Sequence, residues 1–211
     1  ALVEDQMARL RKAIDSDKAR KWYENQGKGN RIYLGRYNGS TMVAGYEYEF
    51  DMNGKRGKVN YKKIDELKKY MEDLQVLQAN VESYCNIHPE KADETRYSFP
   101  RLDGAEMHSR WDMQDTPPDI LITNFSMLSI MLMRECDKGI FEETRKWLNA
   151  EDIQDEGKRD QVKENRVFHI VLDELHLYRG TPGTEISYLI RLLLLRLGLN
   201  PRHPQVRFLA S

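Results

Sequence analysis

At 211 residues, with 33 basic side chains against 34 acidic ones and a net charge of −1, the chain can bury a sizeable core but has no global positive field that would announce nucleic acid or an anionic membrane surface. Cys85 and Cys136 have neither paired nor CxxC spacing, which argues against a disulfide framework or zinc knuckle; the longest apolar run, Leu192 to Leu195, is too short to span a bilayer. A soluble, reducing, cytoplasmic setting with no membrane partner is therefore expected, and an opening on Ala1 inside what reads as a helix suggests a fragment of something longer.

In chain order, Leu2, Val3, Met7, Leu10 and Ile14 recur at helical spacing and predict an amphipathic helix. Gly27 and Gly29 punctuate, and the alternation in Arg31–Tyr37 predicts a short strand ending in the turn-like Asn38-Gly39. Residues 45–110 differ in kind: strongly charged, helical from about Tyr61 to Tyr84, and read as an insertion on the surface of a domain made of 1–44 and 111–211. After Pro117-Pro118, the apolar run Ile120-Leu121-Ile122 predicts a strand covered on both faces, followed by helices near Met127–Arg134 and Ile140–Leu148. Met127, Met131 and Met133 read as core filling. The polar stretch Glu151–Asn165 reads as a solvated linker, partly disordered. Arg166–Asp173 is a further strand. Thr181-Pro182 carries helix-start chemistry with a hydroxyl to cap, a buried helix spans Ile186–Leu197 with Gly198 as its stop, and Gln205–Ala210 closes with a strand. Strands alternating with helices predict an α/β fold with a parallel sheet. If its strands share one sheet, Thr123-Asn124, Asp173-Glu174 and the last residues line its carboxyl edge, where ligands bind.

The adjacent carboxylates Asp173 and Glu174, with His176 two residues on, admit three readings. They solvate a strand end or help cap the next helix; they belong to a hydrolytic metal site; or they serve a nucleotide site. The metal reading is weak, because zinc proteases place H-E-x-x-H on a helix and neither His169 and His176 nor His88, His108 and His203 offer that pattern. In the nucleotide reading, an acid closing a buried parallel strand holds Mg²⁺, directly or through water, and its neighbour orients or deprotonates the attacking water.

Several segments in order carry a resemblance. Ala1-Leu2-Val3-Glu4-Asp5-Gln6 looks like the end of motif Ia of the superfamily 2 DExH helicases, and Tyr37-Asn38-Gly39-Ser40-Thr41 like the glycine-bearing strand end that follows it. Asp119–Leu128 resembles their backbone-gripping element, Asp173-Glu174-Leu175-His176 matches motif II, and Phe208-Leu209-Ala210-Ser211 leads into motif III. Within that superfamily "DELHLYRGTPGTE" and "RWDMQDTPPDILITNFSML" are most similar to large bacterial helicases related to the YprA group, several of which serve in anti-phage defence. The resemblance covers about half of the residues; 45–107 and 151–165 match no known element.

That resemblance implies a RecA-like (P-loop NTPase) domain with a mainly helical insertion, using ATP and Mg²⁺ to drive movement on nucleic acid, DNA rather than RNA. Asp173, Glu174 and His176 are the implied catalytic set, with Asp173 at Mg²⁺ and His176 coupling hydrolysis to strand movement. Thr123 and Asn124, then Asn38 and Gly39, then Arg110 as an exposed cation beside Trp111, are the nucleic-acid candidates. For Trp111 ordinary packing is the stronger reading, and Arg36 and Arg179 read equally as surface residues or ion-pair partners. No GxxxxGK[ST] occurs in the sequence, so the phosphate cradle is expected upstream and arginine fingers from a second RecA-like domain of the parent; alone, the chain is expected to be inactive. The competing expectation is a noncatalytic helicase-like scaffold that recruits a partner protein within a defence complex.

Overall fold

The computed structural model describes residues 2–27, 29–50 and 55–211. Ala1, where the first of the helicase-like segments opens, and the side chains of Leu2 and Val3 in the first apolar stripe lie outside the described residues. The chain divides into two compact units, 1–113 with 118–122, and 114–117 with 123–211.

In the first unit, α1 (Leu2–Asp15) and α2 (Asp17–Asn25) cover a short sheet. Met7 and Ile14 from α1 and Tyr23 from α2 pack with Leu34 of β1 (Leu34–Tyr37) and with Ala105, with Ile120 and Ile122 closing over this core. α2 was not legible as a periodic stripe, because Ala19, Trp22 and Tyr23 are its only apolar residues; Ser16 caps it by accepting from the Ala19 amide at 3.3 Å. After the antiparallel pair β2 (Tyr48–Phe50) and β3 (Arg56–Val59) comes the 27-residue α3 (Tyr61–Ile87), which buries Leu74, Val81 and Cys85 at helical spacing. The shorter α4 (Ala92–Ser98) packs on both α3 and α1.

Two buried polar contacts pin the next strand, β4 (Glu106–Met107), to α1. Arg11 Nε donates to Glu106 Oε2 at 2.6 Å with both side chains buried, and the Ala105 amide donates to both Asp15 carboxylate oxygens at 3.0 and 3.1 Å. β4 pairs in parallel with β1, and β5 (Ile120–Thr123) lies on the other side of β1, giving the order β4-β1-β5. Gly35 in the middle strand sits under Met113 and Pro118, where any side chain would collide with Met113.

The second unit holds α6 (Phe125–Met133), α7 (Lys138–Leu148), α8 (Glu156–Asn165), β6 (Phe168–Leu172), α9 (Thr181–Arg196) and β7 (Val206–Ala210); α5 (Arg110–Asp115) bridges the boundary in sequence. α9 packs on α6 and α7, and its Ile186, Ile190, Leu193 and Leu194 are buried. It ends as expected, with Gly198 at φ 73°. β6 and β7 run parallel with an unbroken register from Phe168↔Val206 to Leu172↔Ala210.

The parallel pairing expected of an α/β fold is present, but the condition for a single shared edge is not met: among the described residues β6 and β7 pair only with each other. Two expectations fail here. The stretch 151–165 is no unstructured linker. Asp155 caps α8 by accepting from the Gly157 amide, Arg166 grips Asp152, and the buried Gln205 side chain donates to the carbonyls of Leu148, Lys163 and Arg166 at 2.9 to 3.0 Å. A polar helix can therefore be held by main-chain and ionic contacts with no apolar stripe. Met131 is fully buried as expected, but Met133 is 77% exposed and fills no core.

Candidate active site

Because Leu172 and Ala210 are the last register pair, Asp173 and Ser211 leave β6 and β7 side by side. The two strand ends are laced together. The Ser211 amide donates to Leu172 O at 3.1 Å, the Leu175 amide to Ser211 O at 3.2 Å, and the Glu174 amide to Ser211 Oγ at 3.1 Å, while Ser211 Oγ donates to Asp173 Oδ1 at 2.7 Å. One hydroxyl thus accepts from the backbone of one acid and orients the carboxylate of the other.

Glu174 has φ 54°, in the left-handed region that favours glycine. This turns the chain after β6 into the short 3₁₀ turn Leu175–Leu177, and the two carboxylates take different partners, Asp173 the Ser211 hydroxyl and Glu174 the His176 ring. Glu174 Oε2 lies 3.3 Å from His176 Nε2, with both side chains solvent-accessible, so the structure brings the three predicted residues into one turn. Exposed as they are, these groups can reach a ligand beyond the strand ends.

Helix α9 starts differently from expectation. Thr181 does not cap it; Gly180, with φ 69°, precedes the first turn without a side-chain cap, and the Thr184 hydroxyl instead donates to Gly180 O at 3.3 Å. Tyr178, just before this start, meets Phe125 edge-to-face at 5.1 Å between ring centroids. That contact joins the acid-bearing turn to the start of α6, where Asn124 is the N-cap and accepts from the Met127 amide at 2.8 Å. Thr123 closes β5 and its hydroxyl points back to Asn124 O at 3.4 Å.

The remaining nucleic-acid candidates lie in the first unit. Asn38 Oδ1 accepts from the Ser40 amide and hydroxyl at 3.0 and 2.8 Å, which fixes the Asn38-Gly39 turn at the end of β1. Arg110 is not the exposed cation expected: it is 5% exposed, donates to Asn38 O at 2.6 Å and lies 5.2 Å from the Tyr37 ring centroid, so it braces that turn from inside. Trp111 packs, donating Nε1–H to Gly45 O at 2.8 Å, and Arg36 pairs with Glu4. The contacts that sequence reasoning did not single out are those of Ser211 and Tyr178; the signal for Ser211 was a polar residue closing an apolar strand in parallel with Asp173.

Among the described residues, no group of three or more His, Cys, Asp or Glu side chains is gathered for a metal. Mg²⁺ does not require one, since it is held by one or two carboxylates together with phosphate oxygens and water. Asp173, an oxygen donor fixed by Ser211 at a strand end, fits that demand.

Over 94 residues, 44% of its length, the chain is 42% identical to the Druantia protein DruE of Escherichia coli strain UMEA 4076-1. The chain is similar to a Druantia protein. The shared segment is only 4% of the length of that Druantia protein. No protein-family model matches the chain, and no solved structure matches it. No helix of the described residues is long and apolar enough to cross a membrane.

Proposed function

We propose that the chain is part of the RecA-like ATPase motor of a helicase or translocase acting on nucleic acid, DNA rather than RNA, in anti-phage defence. The observation that carries the reading is the laced pair of strand ends, which presents Asp173 and Glu174 on a strained turn beside Ser211. Similarity to a Druantia protein supports the defence setting, and the order of the helicase-like segments supports the motor.

In this reading Asp173 would hold Mg²⁺, which neutralises charge on the β- and γ-phosphate oxygens of ATP when bound. Glu174 orients the attacking water and accepts its proton. His176, beside Glu174, links the carboxylate to whatever packs on the exposed side of the turn. Thr123 and the α6 start offer hydroxyl and amide donors to a sugar-phosphate backbone, with Asn38-Gly39 as a second such turn. The phosphate cradle and the arginine fingers come from other parts of the parent chain.

The test is Asp173→Asn in the full-length parent. The Mg²⁺ concentration giving half-maximal nucleic-acid-stimulated ATP hydrolysis should rise at least about ten-fold, the size expected on losing one charged ligand contact. An unaltered Mg²⁺ dependence removes Asp173 from the site, and a parent that hydrolyses no ATP at all favours the noncatalytic scaffold.

A further inference from the structure

The run Lys55-Arg56-Gly57-Lys58-Val59-Asn60-Tyr61-Lys62-Lys63 holds five cations and no acid, in a chain whose overall charge is −1. It forms β3 and the start of α3. All three acids of the hairpin sequence, Glu47, Glu49 and Asp51, precede it. The partner strand supplies aromatic rings. Tyr46, just before β2, and Phe50 within it meet edge-to-face at 4.6 Å between centroids and are 40% and 49% exposed. The Arg56 guanidinium lies over the Tyr48 ring at 3.5 Å, which holds it flat with its N–H edges available. Tyr61, which opens α3, is 70% exposed.

The helix start adds an independent sign. Its first turn carries Lys62 and Lys63 with no acid, whereas a helix N-terminus favours negative charge. Asn60 Oδ1 accepts from the Lys63 amide, and cations at this start become favourable when an anion binds between them and the amides of Tyr61 and Lys62. The root of the hairpin is anchored, since Lys63 Nζ donates to Ala44 O and Trp111 Nε1 to Gly45 O, with Gly45 at φ 78° making the turn. The rings and cations are therefore presented by a fixed root.

We propose that β2, β3 and the first turn of α3 form a contact for single-stranded nucleic acid. Bases stack on Tyr46, Phe50 and Tyr61; phosphates are met by Arg56, Lys58, Lys62 and the α3 amides. Exposed rings interleaved with cations suit a strand whose bases are unpaired, since every base offers a face to stack and every linkage a charge. An acidic protein surface would use the cations but has no need of exposed rings. The inference does not depend on ATP hydrolysis.

The test is fluorescence anisotropy of a labelled 20-nucleotide oligothymidylate with the 211-residue chain, at several salt concentrations. Tyr46→Ala with Phe50→Ala should weaken binding about ten-fold or more, and Tyr46→Leu with Phe50→Leu, which keeps apolar bulk, should not restore it. Lys58→Gln with Lys62→Gln, both at exposed positions, should lower the slope of log affinity against log salt by about 1.4, from about 0.7 per phosphate contact. Full rescue by leucine, or an unchanged slope in the lysine variant, overturns the proposal. So does a chain that ignores the oligonucleotide and binds polyglutamate, which would mark an acidic protein partner instead. If Thr123→Ala weakens binding and the hairpin variants do not, the hairpin loses its role while the motor reading survives.

Discussion

Glu174 is the residue on which local geometry and chemistry meet. A non-glycine residue at φ 54° costs of order 1 to 2 kcal/mol, and here it lies at the turn where two adjacent carboxylates take different partners, Ser211 for Asp173 and His176 for Glu174. Asp173, Glu174 and His176 stand out in the sequence by their place after an apolar run, and the structure gathers them in one turn. The strain was not, because nothing in a glutamate announces a positive φ. Nor was the use of Ser211, whose hydroxyl reaches Asp173 only because β6 and β7 are in parallel register. Ser211→Ala in the parent should lower kcat by about ten- to a hundred-fold, since hydrogen bonds to charged groups contribute about 1.5 to 3 kcal/mol. KM for ATP should stay nearly constant, because the hydroxyl acts through the carboxylate. Steady-state kinetics that moved KM and spared kcat would contradict this.

At the scale of elements, the apolar helices and strands followed from periodicity, and the polar ones did not. α1, α3 and α9 were legible because a buried stripe dictates each of them, and β6 and β7 from their apolar runs, although only Ile170 and Val206 of those strands are buried and Val171, Phe208 and Leu209 stay exposed. α2 and α8 were not, since their stability comes from caps, ion pairs and main-chain carbonyls that reach across the sequence. β4, only two residues long, has no period to read and is fixed by the Arg11–Glu106 pair instead. Breaking one partner of a buried pair leaves an uncompensated charge, so Glu106→Ala should destabilise the first unit by about 3 to 5 kcal/mol. Gln205→Leu takes the shared donor from the carbonyls of Leu148 and Arg166, while Lys163 O keeps the Arg166 amide, and should destabilise the second unit by about 1 to 3 kcal/mol. Urea denaturation of the two variants checks both, and a midpoint within error of the parent sequence would show that the contacts are dispensable.

For the whole molecule, near-neutral charge hides strongly local arrangements. The five cations of 55–63 vanish in a net charge of −1, which is why composition alone does not announce nucleic acid and leaves any such partner to local patches. Acid stability follows from a few carboxylates. Asp103 is raised by burial, but the Arg101 hydrogen bond and the charges of Arg101 and Arg20 outweigh that and hold it below its ordinary range; the Arg166 hydrogen bond holds Asp152 low. Carboxyls depressed in the folded state stabilise it above their unfolded pKa, near 3.8, and that contribution is lost as pH falls through the folded values. The melting temperature should therefore stay level with respect to these two groups from pH 5 to 8 and fall below about pH 4. Asp152→Asn should blunt the acid limb slightly, by less than about 1 kcal/mol at this exposed pair. An acid limb identical in that variant would show that the Arg166 clasp adds nothing to stability.

The proposed role of the turn after β6 as the water-activating part of an ATP site is tested most directly by Glu174→Gln in the full-length parent. ATP should still bind with nearly the wild-type affinity, while nucleic-acid-stimulated hydrolysis falls by about 10² to 10⁴, the range for losing a general base. Hydrolysis at the wild-type rate would contradict the account.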